Sequence, residues 1–476
     1  MRLPGKLPLL PLLAVALTST AWACLTPFCE QFPDRCVAGD ETGGVDSEEE
    51  DTGPLLMCGD GEVQNGEECD DGNAVDGDGC DNDCTFTAVA ALSLGWAHTC
   101  ALIDGGDVRC WGHNLFGQLG LGHTNFIGDD EIPSEAGDLP LPNRPTAISL
   151  GGNHTCALFD GGDLGCWGLN DYGQLGNGGT DNYGDNETLA NLEGLGFSSV
   201  IDVQLGGYHT CALLEDGTVT CWGNNSYGQL GYGNNSDLDS PGGSLSLGGA
   251  AVKLAAGSHH TCALLENHDV RCWGLNFNGQ LGLGHTNRIG DDELPSDVDP
   301  VSLGLPPDTE VVDLELGGFH TCALLSDGSV MCWGRNDYGQ LGLGHANTIG
   351  DDDLPSSQAP VSLPGAVKQL ALGNVHTCAL LTGGEVMCWG YNGGGELGRG
   401  HTNYIGDDEL PSDAGFVELG GSAIALAAGG SHTCALLENH DVRCWGDNDY
   451  GELGLGHTNY IGDDELPVDV DPVSVF

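Results

Sequence analysis

One motif recurs seven times between Thr85 and Phe476: a small-residue lead, His-Thr-Cys-Ala-Leu, a short turn, Cys-Trp-Gly, an Asn, and Gly-Gln/Glu-Leu-Gly. Its first cysteines are Cys100, Cys156, Cys211, Cys262, Cys322, Cys378 and Cys434, so the copies are separated by 56, 55, 51, 60, 56 and 56 residues. A fixed period over such a span signals a repeat architecture, in which a unit too small to bury its own apolar face stacks on its neighbours. With 80 glycines the chain is turn-dense, while a hydrophobic content of 39% still supplies a core. Glycine-rich β repeats of this length predict propeller blades.

The third copy reads Gly206-Gly207-Tyr208-His209-Thr210-Cys211-Ala212-Leu213, then Gly217, Cys221-Trp222-Gly223-Asn224 and Gly228-Gln229-Leu230-Gly231. This resembles the regulator of chromosome condensation repeat, seven of which form a seven-bladed β-propeller in that family. The resemblance implies an all-β, seven-bladed β-propeller over 85–476. A strand such as Thr309–Leu316 precedes the His-Thr-Cys hairpin, and Thr87–Leu94 matches it at the start. The last repeat stops at Asp471-Pro472-Val473-Ser474-Val475-Phe476. The expectation is that the first strand completes the last blade, so that N- and C-terminal strands close the ring without an open edge.

Within every repeat two cysteines stand ten positions apart, which places Cys211 opposite Cys221 if Glu215-Asp216-Gly217 forms a hairpin loop. Such a loop ends on a left-handed residue. Gly106, Gly162, Gly217, Gly328 and Gly384 fill that position in five repeats, and His268 and His440 in two. Directly opposed antiparallel residues lie about 4.5–5.5 Å apart at Cα, within reach of a disulfide. Seven bridges are expected: Cys100 with Cys110, Cys156 with Cys166, Cys211 with Cys221, Cys262 with Cys272, Cys322 with Cys332, Cys378 with Cys388, and Cys434 with Cys444. Each contributes roughly 2–3 kcal/mol by the chain-entropy argument. A cysteine metal site would lack two of its four ligands. The repeated histidines (His98, His154, His209, His260, His320, His376, His432) and tryptophans (Trp111 to Trp445) occupy one column each. A catalytic residue is normally unique, so sevenfold recurrence points to packing or a buried hydrogen bond. Gln118, Gln174 and Gln229 are read in the same way.

Residues 1–23 carry Arg2 and Lys6, an apolar run from Leu7 to Leu17, and Ala21-Trp22-Ala23. This is the order of a secretory signal peptide, and the run is too short to span a bilayer. Export exposes the 21 cysteines to an oxidising compartment. Cleavage before Cys24 would resemble bacterial lipoprotein processing, although Ala21 and Trp22 depart from the usual lipobox. Lipidation of Cys24 would leave Cys29 and Cys36 to pair and every thiol used. Segment 24–57 ends in the acidic linker Gly39–Pro54, which has too little apolar surface to order itself. Segment 58–84 resembles the small Asp/Gly/Cys-rich module found beside other domains in bacterial surface proteins. Its Cys58, Cys69, Cys80 and Cys84 can form two disulfides of open connectivity. Asp70, Asp71, Asn73, Asp76 and Asp78 offer hard oxygen ligands for Ca²⁺. So does the loop Gly-His-Thr/Ala-Asn-x-Ile-Gly-Asp-Asp-Glu/Asp-Leu/Ile-Pro, which occurs in five repeats: His123 to Pro133, His285 to Pro295, His345 to Pro355, His401 to Pro411 and His457 to Pro467. Its spacing matches no EF-hand, and solvated acidic loops are the simpler reading. Segment 181–186 replaces it in the second repeat and 234–237 in the third.

Twelve basic against 71 acidic side chains give a formal charge of -59, which repels phosphate backbones and anionic lipid. Nucleic acid is excluded as a partner, and a membrane could be reached only through an N-terminal lipid. The chain shows no nucleophile elbow, zincin motif or phosphate loop. Arg109, Arg271 and Arg443 occupy one repeat position on separated blades and do not form the arginine cluster of a glycan-cleaving propeller. Guanine-nucleotide exchange is the activity the family resemblance implies, but an exported disulfide-bonded chain would not meet a cytosolic GTPase. The sequence therefore reads as an exported binding scaffold, not an enzyme, that presents its blade connections to a protein, peptide or glycan.

Overall fold

Each repeat folds into one three-stranded antiparallel sheet, and seven such sheets occur among residues 87–476, the part described by a computed structural model. These residues lie in the larger of two units, Leu56–Phe476 and Met1–Leu55. The signal peptide, Cys24, Cys29, Cys36, the linker, and the 58–84 module with Cys58, Cys69, Cys80, Cys84, Asp70, Asp71, Asn73, Asp76 and Asp78 fall outside the described residues. Among the described residues no helix is long and apolar enough to cross a membrane.

Blade 1 comprises β1 (Val89–Leu94), β2 (His98–Ile103) and β3 (Val108–Gly112). Its second strand is buried at every position, as expected for a strand covered on both faces by neighbouring blades. The register sets His98 opposite Gly112, Thr99 opposite Trp111 and Cys100 opposite Cys110, and every blade repeats it. The hairpin positions read as left-handed are so in all seven: Gly106 has φ 91°, Gly217 78°, His268 66° and His440 68°. Ile127 bridges back to Gly112, and Leu139 N donates to Val108 O, which covers the free edge of β3.

The last blade does not borrow a strand from the first. β1 pairs with β2 inside blade 1, and Ala423–Ala428, His432–Leu437 and Val442–Gly446 form blade 7 by themselves. The motif with its lead strand is already a whole blade, so none is left short. At the seam, Ser134 N donates to Ser474 O at 3.2 Å, the counterpart of Ser296 to Ser246 and Ser356 to Ser302 between internal blades.

Between blades runs one repeated hydrogen-bond relay. His98 Nε2 lies 3.1 Å from Thr155 Oγ1 of the next blade, and the pairs His154–Thr210, His209–Thr261, His260–Thr321, His320–Thr377 and His376–Thr433 continue it at 2.9–3.0 Å. His432–Thr99, at 2.8 Å, joins blade 7 to blade 1. Each threonine hydroxyl donates onward to a backbone carbonyl of the preceding blade, as Thr155 does to Gln118 O (2.9 Å). That carbonyl also accepts from the indole of Trp167 at 3.0 Å. A hydroxyl that has donated its proton can only accept from the imidazole, so Nε2 carries the hydrogen and Nδ1 is bare. Nδ1 of all seven histidines has no partner. The ring packs against a glycine; a Cβ on Gly95 would stand 2.3 Å from His98 Cε1.

Burial is the main force holding these imidazoles neutral, with pKa values pushed down to about 3 at His154, His209, His260, His320 and His432 and about 4 at His376, and well below normal at His98. The unfolded chain takes up these protons below about pH 6.5; the folded chain does not. Stability from this source is complete above that pH and is lost as pH falls toward the folded values. At pH 5 each histidine costs about 2 kcal/mol, whatever its folded pKa below that point. Thermal denaturation followed by circular dichroism is expected to show Tm falling steeply between pH 6.5 and 5, and a His209→Gln/Thr261→Val double variant is expected to show a shallower fall from a lower starting Tm.

Candidate functional site

Side chains that recur in all seven repeats are occupied by this scaffold. The fourteen cysteines form seven bridges, Cys100–Cys110, Cys156–Cys166, Cys211–Cys221, Cys262–Cys272, Cys322–Cys332, Cys378–Cys388 and Cys434–Cys444, each with Cα atoms 4.1 Å apart and buried. Arg109 pairs with Asp138 at 2.7 Å and donates to Val475 O. Arg271 and Arg443 hold the short helical turns at Pro295 and Pro467 through those carbonyls, at 2.8 and 2.7 Å. Arg271 and Arg443 therefore pin their own repeats, and Arg109 ties the first repeat to the last.

Residues that vary from blade to blade gather at one end of the sheets. The residue before each repeated histidine and the residue after each Cys-Trp-Gly are neighbours, because the second donates its N–H to the carbonyl of the first: Asn224 to Tyr208, Leu275 to His259, Arg335 to Phe319, Tyr391 to Val375. Aromatic rings fill much of this end and touch across blade boundaries. Trp96 of blade 1 meets Tyr208 of blade 3 edge-on at 5.1 Å, passing over Gly152 and Gly207, where a Cβ would come within 3.0 and 2.8 Å of the indole. Tyr208 continues to Tyr172 (5.4 Å) and His259 (6.0 Å), and His259 to Tyr227 (5.2 Å). The Arg288 guanidinium lies 5.0 Å from the Tyr227 ring and 4.9 Å from that of Phe277, which is 57% exposed. A second patch joins Tyr338, Tyr391 and Tyr404 across blades 5 and 6, and a third joins His113, Phe126 and Tyr450 across blades 1 and 7. Offset and edge-on contacts of this kind hold large apolar surfaces in fixed orientation while leaving them partly exposed.

The motif reading placed variation in the long connections, which supply Phe126, Arg288 and Tyr404 of this face, but it did not pick out the rings contributed from beside the strands. The signal was present in the two columns flanking the constant His and Trp-Gly, where Tyr208, His259 and Phe319 replace Ala97 and Ser431. The acidic connections do contain local clusters: Asp129-Asp130-Glu131, Asp291-Asp292-Glu293, Asp351-Asp352-Asp353, Asp407-Asp408-Glu409 and Asp463-Asp464-Glu465 each bring three carboxylate atoms within 4.8 Å. Glu131, Glu293 and Glu465 are pushed up to about 7 by desolvation and then by the neighbouring aspartates, and one oxygen of each is buried without a partner. These sets have the chemistry of an oxygen-liganded cation site.

Below the aromatic face, Gln118, Gln174, Gln229, Gln280 and Gln340 turn inward, their Oε1 accepting a backbone N–H two residues earlier. Blades 6 and 7 carry Glu396 and Glu452 there, with Gly394 N and Tyr450 N as donors at 2.9 and 2.8 Å. Asp447 lies near both. Burial, with Asp447 adding to it, pushes both glutamates up to about 8 despite the backbone donors, and Asp447 itself to about 6. A protonated glutamate is a near copy of glutamine. The folded chain thus holds protons that the unfolded chain gives up above about pH 4.5, so this stabilisation is complete below that pH and is lost as pH rises through 8. A Glu396→Gln/Glu452→Gln variant is expected to be more stable than the parent by on the order of a few kcal/mol at pH 8 and indistinguishable from it near pH 4.5, as read by Tm in parallel buffers.

Residues 54–403 match the RCC1-like domain model, and residues 383–436 and 423–452 match the regulator of chromosome condensation (RCC1) repeat. The ultraviolet-B receptor UVR8 of Arabidopsis thaliana is 30% identical over 373 residues, 78% of this chain and 79% of its own length. The human E3 ubiquitin-protein ligase HERC2 is 32% identical over 361 residues, 75% of this chain but 7% of its own length. Among solved structures, Prp20p of Saccharomyces cerevisiae, described with its binding to Gsp1p and histones, has a TM-score of 0.61 at 22% identity, covering 82% of this chain and 87% of that one.

Proposed function

The chain belongs to the RCC1-like domain family, and on that premise we propose that it is an exported binding scaffold, not an enzyme, whose aromatic face receives a protein, peptide or glycan. The observation that carries this is the division of labour among repeat columns. Every column constant across the blades is spent on bridges, the histidine relay or the core, whereas the columns that vary place Tyr172, Tyr208, Tyr227, Phe277, Tyr338 and Tyr404 at one end of the sheets. Exposed, mutually braced aromatics with a polar tip are the side chains that carry most binding energy at recognition surfaces. They also suit the faces of sugar rings.

Export is supported by the signal-like 1–23 segment and by seven bridged hairpins, which persist in an oxidising compartment. In this reading Cys24 carries lipid, Asp70, Asp71, Asn73, Asp76 and Asp78 hold Ca²⁺, and the acidic connections are solvated loops. Guanine-nucleotide exchange is the competing reading, from the binding of Prp20p to Gsp1p; the formal charge of -59 and the bridged cysteines weigh against a cytosolic or chromatin role.

The purified chain is to be screened on glycan and peptide arrays beside a Tyr227→Ala/Phe277→Ala variant and a Glu266→Gln control on the hairpin end. Specific binding by parent and control, weakened roughly tenfold or more in the double variant, is the expected result; binding that survives the double variant rejects the face. The mass of the protein from its native host, before and after alkylation, tests export separately. Loss of 1–23 with bridged cysteines is expected, whereas Met1 retained with free thiols would restore cytosolic GTPase regulation.

A further inference from the structure

The first strand of every blade, with the turn after it, lines a cavity of about 380 Å³ on the axis. Its wall is the second place where the repeats diverge. At the third residue of the strand, where Ala147, Asp202 and Gln369 line the cavity, blades 1, 2 and 7 carry Ala91, Ala147 and Ala425, whereas blades 3 to 6 carry Asp202, Lys253, Asp313 and Gln369. Two residues further on, small side chains in five blades give way to Gln204 and Glu315. One half of the channel is small and uncharged. The other half is charged.

The charges do not balance. Lys253 is bonded to Asp313 at 2.8 Å, and its ammonium also attracts Glu315 and Asp202 without bonding to either. Asp202 accepts from Gln204 Nε2 at 3.1 and 3.2 Å, and Gln369 is tied to the backbone of Leu426, so neither glutamine neutralises a carboxylate. Glu315 faces the cavity, surrounded by protein, and its carboxylate accepts no hydrogen bond from any described residue. Burial, then Asp313, pushes it up to about 8, and Asp202 is raised as well. Asp202, Asp313 and Glu315 thus share the single ammonium of Lys253, which is bonded to Asp313 alone, and a second cation has a place in the cavity beside Glu315. Asp202, Asp313 and Glu315 do not form a three-carboxylate set within 4.8 Å; among the described residues such sets lie in the surface loops. From Glu315 the channel runs three residues, about 10 Å of strand, to the turns where Trp96 lies over Gly152 and Gly207 and Ser258 Oγ donates to Asn374 Oδ1 at 3.2 Å. An indole at that end offers an aminoalkyl chain an apolar wall and a cation a π face.

We propose that the axial channel binds a small aliphatic diamine or polyamine, with one ammonium between Asp202 and Glu315 and the methylene chain against Trp96. This site meets the aromatic face at Trp96 but does not involve Tyr227 or Phe277, so either reading can fail without the other. Binding ionises Glu315 and so releases a proton near pH 7.

Isothermal titration of the full chain with 1,5-diaminopentane, in two buffers of different ionisation enthalpy, tests this. One-to-one saturation with proton release is expected, weakened roughly tenfold or more and without the proton in Glu315→Gln, weakened in Trp96→Ala, and unchanged in Glu266→Gln. Glu315→Gln keeps the neutral form that burial already favours and no longer has to be protonated on folding, so its Tm is expected to be at or above that of the parent at pH 7. No saturable heat, equal binding by parent and Glu315→Gln, or equal weakening in Glu266→Gln, as general attraction to an acidic surface would give, overturns the proposal.

Discussion

A neutral imidazole set between two blades, donating to a threonine that in turn donates to the blade before it, is the contact on which the rest of this structure depends. It recurs at every blade boundary, including the seam between the last and first repeats. Its geometry explains neighbouring columns of the motif. Glycine three residues before the histidine leaves room for the ring, and the carbonyl under the threonine is the one that also receives the tryptophan indole. Because every donor in the relay is buried, no part of it can be lost without leaving an unpaired polar group, at roughly 1–3 kcal/mol each.

Within each blade the disulfide acts on a different link. It ties β2 to β3 and their equivalents across a hairpin of ten residues, so it restrains the unfolded chain locally and says nothing about which blade meets which. Blade-to-blade attachment comes from the histidine relay, and the order of blades from the chain itself. This separation lets the columns facing the aromatic end and the axial channel change without disturbing either, and Tyr208, His259 and Phe319 stand at one equivalent position with the same backbone bonds beneath them.

Much of this was legible in the chain itself. The period, the opposed cysteines and the left-handed hairpin residue follow from spacing and turn chemistry, down to His268 and His440 taking the glycine conformation. The seam was misread because the last repeat ends in Asp471–Phe476, which looks like a blade short of a strand when the repeat is phased from the wrong end. The aromatic face and the charged half of the channel were not legible for another reason. Each is assembled from single residues one or two repeats apart, and only the stacking of blades brings Trp96 to Tyr208, 112 positions on, or Lys253 to Asp313, 60 positions on. A column-by-column comparison of the repeats would have marked the positions but not their meeting.

The protonation state of the seven buried histidines tests this account most directly. Long-range proton–nitrogen correlation spectra of the imidazoles should show seven rings with hydrogen on Nε2 and none on Nδ1, unchanged from pH 8 down to the onset of acid unfolding. Imidazoles that titrate near pH 6.5 in the folded protein, or that carry hydrogen on Nδ1, would contradict it.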